Sequence, residues 1–251
     1  MKYNNLCIIQ ARTGSTRLPN KVLLTVKGRT LLEYEIERVK KSKLIDKIVV
    51  ATTFNKGDDK IETICKKNNI DCFRGSEEDV LDRYYQCSLE YPEYKNIIRI
   101  TGDCPLIDPT VVDNLIKFFV DNNFDYASNI EEETFPDGMD AEIFKREVLA
   151  EAAEKARLAS QREHVTLYIR NNEKYGRGNL TSEINFSHFR LTVDEKEDYE
   201  VIKFLIENSE DNDRYMKYIS LLEKNPEIMN RNIKIQRNMG LIKSLENDEV
   251  I

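Results

Sequence analysis

Short apolar runs alternate along this chain with longer stretches in which apolar residues return every three or four positions. Leu6-Cys7-Ile8-Ile9-Gln10 is brief, apolar and followed by a Gly/Ser/Thr/Pro loop, which predicts a buried strand opening into a loop. Thr30 follows, with Glu33 three residues on and Leu32, Ile36 and Val39 at helical spacing, the pattern of a capping box and an amphipathic helix. Residues 47–52 predict a second strand and 70–73 a short third one. Between them, 58–68 predict a helix with Ile61, Ile64 and Cys65 on one face. Residues 79–90 predict a helix and 96–101 a strand. Asp108-Pro109 then supplies an N-cap and a first-turn proline for a helix carrying Val111, Leu115 and Phe118, with Val112, Ile116 and Phe119 adjoining.

Four strand–helix alternations in the first half predict an α/β fold with a parallel sheet covered on both faces. In such sheets ligands bind beyond the carboxyl ends of the strands, here the loops after Gln10, Thr52, Phe73 and Thr101. The second half is less regular. It predicts a strand at 124–129, an acidic loop and extended stretch over 131–144, helices at 148–157 and 160–171, and strands at 180–184 and 189–193. Helices at 198–208, 214–224 and 239–245 complete it. With no internal repeat and no Pro-, Gly- or Ser-rich linker, residues 1–251 are expected to form one domain of two halves, 1–125 and 126–251.

Composition narrows the class. At 251 residues, 33% charged and 40% hydrophobic, with 9 Gly and 6 Pro, the chain is neither collagen-like nor disordered, and it can bury a core without disulfides. A net charge of −7 lacks the basic stripe of a nucleic-acid binder. The apolar stretches are too short to span a bilayer. The N-terminal stretch has one basic residue, Lys2, and Gln10-Ala11-Arg12 cuts off its apolar run, so no secretory signal is expected and the protein is read as cytoplasmic. Cys7, Cys65, Cys72, Cys87 and Cys104 form no C-x-x-C pair and are expected to be reduced thiols. With His164 and His188 as the only histidines, zinc is not expected.

Against that acidic background, one loop stands out. Ala11-Arg12-Thr13-Gly14-Ser15-Thr16-Arg17-Leu18-Pro19-Asn20-Lys21 places three cations and several small residues at a strand's carboxyl end. Small residues let backbone N–H groups approach an anion, and Arg adds bidentate donors. The spacing is neither that of a Walker loop nor that of a Rossmann fingerprint. The alternative is a solvated basic loop. Asp103, just past a strand, is placed to hold a divalent cation, or it caps its turn or pairs with Arg99. Asp194 is a second carboxylate after a strand, or a helix N-cap. Residues 135–142 are rich in carboxylates or form an acidic turn, and His164 in Arg162-Glu163-His164 is a packed histidine unless its neighbours make it more.

Taken together these segments carry a resemblance. IIQARTGSTRLPNKVL resembles the opening signature of sugar-activating cytidylyltransferases, which include the acylneuraminate and 3-deoxy-manno-octulosonate enzymes, and most closely their spore-coat-polysaccharide (SpsF-like) branch. IVVATTFNKGDD, FRGSEEDVLDRYY, IRITGDCPLIDP, YASN, FPDGMDAEIF, REHVT and RLTVDEKED follow in the order of that branch, and NPEIMNRN and RNMGLIKSL extend the likeness to the tail. The resemblance implies a three-layer sandwich with a mostly parallel sheet, nucleotide-diphospho-sugar transferase-like. The first half would bind nucleotide, and the second would bind acceptor and dimerise. It implies that Ala11, Arg12, Gly14, Ser15, Arg17 and Lys21 surround the triphosphate of CTP. Ala51, Thr52 and Arg74 would lie near the base. Asp103 and Asp194 would hold Mg²⁺, with Arg12, Lys21 and Asp103 as the catalytic set. Asp137, Asp140, Glu142, Arg162 and His164 would face the acceptor. Asn20 stands where relatives usually carry Gly, and Asn tolerates the left-handed backbone better than most residues.

The implied activity is transfer of CMP from CTP to a hydroxyl of a sugar acid or related polar anionic acceptor, with release of pyrophosphate, in surface polysaccharide or glycan biosynthesis. The alternatives are a nucleotide-sugar-dependent glycosyltransferase on the same fold and a non-catalytic nucleotide-binding relative. The expected partners are CTP and a small acceptor, with no nucleic acid and no membrane. A homodimer is also expected, paired through an excursion around residues 135–170.

Overall fold

The computed structural model describes residues 3–251; Lys2 lies outside them. The strand β1 (Asn5–Gln10) is followed by the basic loop, a 3-10 turn at Lys21–Leu23 and a small hairpin of β2 (Thr25–Val26) and β3 (Arg29–Thr30). Helix α1 (Leu31–Val39) begins as its sequence predicts. The Thr30 side chain accepts from the Glu33 amide, and the Glu33 carboxylate accepts from the Thr30 amide. β4 (Lys47–Thr53), α2 (Asp59–Lys67), β5 (Asp71–Gly75), α3 (Val80–Leu89) and β6 (Asn96–Thr101) continue the alternation. Asp79 caps α3 and Asp108 caps α4 (Pro109–Asp121), each through its carboxylate.

β1 pairs in parallel with both β4 and β6, and β4 with β5. β1 therefore sits where the chain reverses its direction of winding, and the loops after β1 and β6 leave the same sheet edge side by side. Successive residues of β1 point to opposite faces. Cys7 and Ile9 pack with α1, α2 and α4, while Leu6 and Ile8 pack with α3 and α5 (Arg146–Lys155) on the other face. The result is the expected three-layer α/β sandwich.

The second half completes the same sheet. β7 (Tyr126–Ser128) and β8 (Glu142–Lys145) run antiparallel to each other, and β8 also runs antiparallel to β6. β9 (Arg177–Asn179) pairs in parallel with β7, which gives the order β5-β4-β1-β6-β8-β7-β9. The segment 135–170 is thus no excursion: β8 lies inside the sheet and α5 packs on it. The helix expected over 160–171 is two, α6 (Ala159–Glu163) and α7 (Leu167–Arg170), broken where Val165 takes φ 57°.

The strands expected at 180–184 and 189–193 do not form. Phe189, Leu191 and Val193 do alternate inward, but they pack on α8 (Lys196–Glu207) and α9 (Tyr215–Lys224) instead of joining the ladder. Ile184 is exposed and leaves its segment without a buried face. The short α10 (Pro226–Met229) and α11 (Met239–Glu246) close the chain. Among the described residues no helix is long and apolar enough to cross a membrane.

Candidate active site

Loop closeness at the sheet edge depends on one glycine. The Gly102 amide donates to Gln10 O at 2.8 Å, and a Cβ at Gly102 would lie 2.8 Å from that oxygen and 2.9 Å from the Ala11 Cβ. The loops after β1 and β6 can therefore touch only with Gly here. On its other flank the basic loop is fastened to β4. Ala11 N donates to Ala51 O at 3.1 Å, and the buried Asp58 accepts from both the amide and the hydroxyl of Thr13. Asn20 takes φ 60°, the left-handed turn its side chain tolerates, and delivers Lys21 inward.

Lys21 Nζ donates to Asp103 and to Asp194, each at 2.8 Å. Asp103 is carried by the loop after β6. Asp194 arrives from the far half of the chain because the Val193 amide and the Thr192 hydroxyl both donate to Asp103 O, at 2.9 and 3.1 Å. Burial alone would raise the Asp103 carboxyl, but the Lys21 ammonium outweighs it and holds the group at about 2. Burial likewise opposes the charge on Lys21, yet its two carboxylates push it above the ordinary lysine range. Arg17 adds a contact to Asp194 at 2.7 Å. Arg12 reaches only Glu77, at 3.4 Å, and stays substantially exposed.

These placements settle two alternatives. Asp103 does not pair with Arg99, whose guanidinium goes to Glu142 and, at 3.3 Å, to Gln10. Asp194 is not the cap of α8. Glu195 is, and Asp198 accepts from the Asp194 and Glu195 amides, leaving the Asp194 carboxylate to the cations.

Two adjoining cavities open here. One, of about 380 Å³, is walled by Ala11, Arg12, Ser15, Arg17, Lys21 and Asp103, among others. Gly14 is not on its wall. The second, of about 230 Å³, shares Arg17, Asp103 and Asp194 and extends to Asp137, Asp140, Glu142 and His164. Most of the acidic stretch is already partnered. Glu142 accepts from Arg99, Tyr126 OH (2.7 Å) and Thr166 Oγ1 (2.6 Å), which makes it the floor of the cavity. Asp137 pairs with Arg190. Asp140 lies 2.6 Å from Arg237, and burial still pushes its carboxyl up to about 7. His164 shares a 2.9 Å hydrogen bond with Ser244, and burial lowers its imidazole below the usual value, so it is neutral at pH 7.

Arg162 is not on either cavity wall. Its guanidinium binds the Asp79 carboxylate and the Ala153 carbonyl, tying α6 to the start of α3. Ala51 and Thr52 are fully buried in β4, and Arg74 braces the following loop through Thr53 O, Asn55 O and Asp59; none of the three lines these cavities.

Cations that sequence reasoning did not assign stand in their stead: Arg99, Arg170 and above all Arg190. Arg190 pairs with Asp137, Asp194 and Asp198 at once. Only Gly138 lets the two runs meet, since it takes φ 101° and a Cβ there would lie 2.5 Å from the Leu191 backbone. No local spacing joins FPDGMD to RLTVDEKED, so neither run by itself points to this contact.

Among the described residues, no group of three or more His, Cys, Asp or Glu could hold a metal ion. The pair Asp103 and Asp194 nonetheless already shares one cation. Two hard carboxylates, completed by phosphate oxygens and water, are a donor set that suits Mg²⁺.

Residues 6–235 match the cytidylyltransferase family. The spore coat polysaccharide biosynthesis protein SpsF of Bacillus subtilis is 38% identical over 232 residues, 88% of this chain and 95% of that protein. A cytidylyltransferase structure from Leptospira borgpetersenii is 39% identical with a TM-score of 0.86, covering 90% of this chain and 96% of that one. The fold is shared more distantly by a CMP:2-keto-3-deoxy-manno-octonic acid synthetase solved with CTP (18% identity, TM-score 0.64, 81% of this chain and 98% of that one).

Proposed function

The chain belongs to the cytidylyltransferase family and stands with its SpsF-like branch, and from that premise we propose that it moves CMP from CTP onto a hydroxyl of a sugar acid or a related polar anionic acceptor. It is a CTP-dependent nucleotidyltransferase. The reading places it in surface polysaccharide or glycan biosynthesis, as a single domain whose two halves meet at Asp103 and Asp194. The observation that carries the reading is the Lys21 ammonium held between those two carboxylates beside Arg17.

In this mechanism the acceptor oxygen attacks the α-phosphorus in line and releases its proton to solvent, the bond from the α-phosphorus to the α,β-bridging oxygen breaks, and that oxygen leaves with pyrophosphate. Such transfer depends mainly on positioning and charge neutralisation. Arg12, Arg17 and Lys21 face the negative charge that builds on the leaving pyrophosphate. Asp103 and Asp194 would hold Mg²⁺, which when bound supplies further positive charge at the α-phosphate. The second cavity receives the acceptor. Arg170 and Arg190 suit an anionic group, and Asp140 and His164 suit hydroxyl or amino groups. Arg162 has no part in it, because Asp79 holds it elsewhere.

A pyrophosphate-release screen that crosses the four nucleoside triphosphates with sugar acids and phosphorylated alcohols tests this reading. Release confined to CTP plus one acceptor class supports it, and silence across the panel contradicts it. We further propose a homodimer, since closed two-fold pairing is the commonest oligomer; light scattering at micromolar concentration should give twice the chain mass.

A further inference from the structure

The last helix packs in an unusual way. α11 buries none of its residues, although Leu241 and Ile242 are partly covered. Helices of this length ordinarily settle by burying an apolar face. Here polar contacts hold the helix instead. Ser244 shares a 2.9 Å hydrogen bond with His164, the residue just after α6, and donates to Glu163 at the end of α6 at 2.6 Å. Before the helix, Arg237 binds Asp140 and Asn238 takes φ 61°. After it, Asp248 accepts from the Ser160 amide and hydroxyl. So loosely packed an element belongs to the low-stability end of a fold, from which moving covers are drawn.

α11 also lies over the site. Met239 and Gly240 wall both cavities, and Lys243 lines the one that Arg12, Arg17 and Lys21 surround. Each of those three cations has a carboxylate partner, but among the described residues Lys243 makes no ion pair. An exposed ammonium at the mouth of a cation-walled cavity has every reason to meet a polyanion there.

We propose that α11 is a cover on the nucleotide cavity and that Lys243 is its phosphate contact, a fourth cation for the polyphosphate of the bound nucleotide. The inference rests on the reading of the cavity as a CTP site. With nucleotide in place, Lys243 gains the partner it lacks and α11 gains an anchor besides Ser244.

The test is calorimetric titration of CTP with Mg²⁺ into the full chain, paired with hydrogen exchange over residues 239–246. The wild type should bind, with exchange over 239–246 slowed by CTP. Lys243→Ala should weaken binding roughly tenfold, without that slowing and with an unchanged urea midpoint. Lys243→Arg should stay within about twofold of the wild type, since it keeps the charge. Unchanged CTP affinity in Lys243→Ala overturns the contact while leaving the CTP reading intact. No binding by the wild type removes that reading, and the cover with it.

Discussion

Asp103 and Asp194, from opposite halves of the chain, accept hydrogen bonds from the same Lys21 ammonium, each at 2.8 Å. Removing that ammonium leaves two mostly buried carboxylates facing each other. Lys21→Ala should therefore lose roughly 1–3 kcal/mol of stability and weaken CTP binding by roughly tenfold or more. Added Mg²⁺ should raise the melting temperature of the variant more than that of the wild type, because the metal takes over the missing charge. Equal shifts in both proteins would count against a shared cation site.

Asp103→Asn should reduce kcat by about 100-fold or more while weakening CTP binding far less. A group that matters chiefly as charge builds in the transition state affects turnover before affinity. Near-normal turnover at saturating Mg²⁺ would reduce Asp103 to a turn residue.

Arg190 holds Asp137, Asp194 and Asp198 together while almost fully buried. Arg190→Ala should cost about 3–5 kcal/mol, the penalty for leaving buried charges unpaired. Arg190→Lys should fall between it and the wild type, since an ammonium cannot reproduce the fork. Urea unfolding of both variants checks the order, and a neutral Arg190→Ala would contradict the network.

What was legible in the sequence was local. The Thr30/Glu33 box, the Asp108-Pro109 start and the left-handed Asn20 each depend on neighbours within a few residues, and each forms as expected. The basic loop and Asp103 were legible because each follows a strand at the sheet's ligand edge. The tie between Asp137 and Arg190 depends on a close backbone approach across the fold, and nothing in either segment encodes the other. Arg162 was misplaced for the same reason, since its partner Asp79 is remote in sequence. Residues 189–193 show the limit of periodicity: the alternation is real, but it records burial against α8 and α9 and not a strand partner.

Glu35 is fully buried beneath the site. Burial raises its carboxyl well above the usual value, and the charge of Asp103 raises it further, against the Cys104 amide and Lys21, which lower it. A raised carboxyl stays protonated in the folded chain while the unfolded chain ionises, so its stabilising share is present below about pH 4.3 and is lost as pH rises above that. Glu35→Gln removes this loss. Its stability relative to the wild type should therefore improve between pH 4 and pH 8, as read from urea midpoints. A pH-independent difference would show that Glu35 is ionised in the folded protein.

In the transfer proposed above, the α-phosphate of CTP ends on the acceptor. CTP labelled at the α-phosphorus, mixed in excess enzyme with the acceptor that the release screen identifies, follows that atom directly. The label should appear in an acceptor-linked CMP product at the rate of pyrophosphate release, and both rates should fall together in Asp103→Asn. Label recovered as free CMP, or pyrophosphate released equally well without acceptor, would contradict transfer and leave only hydrolysis.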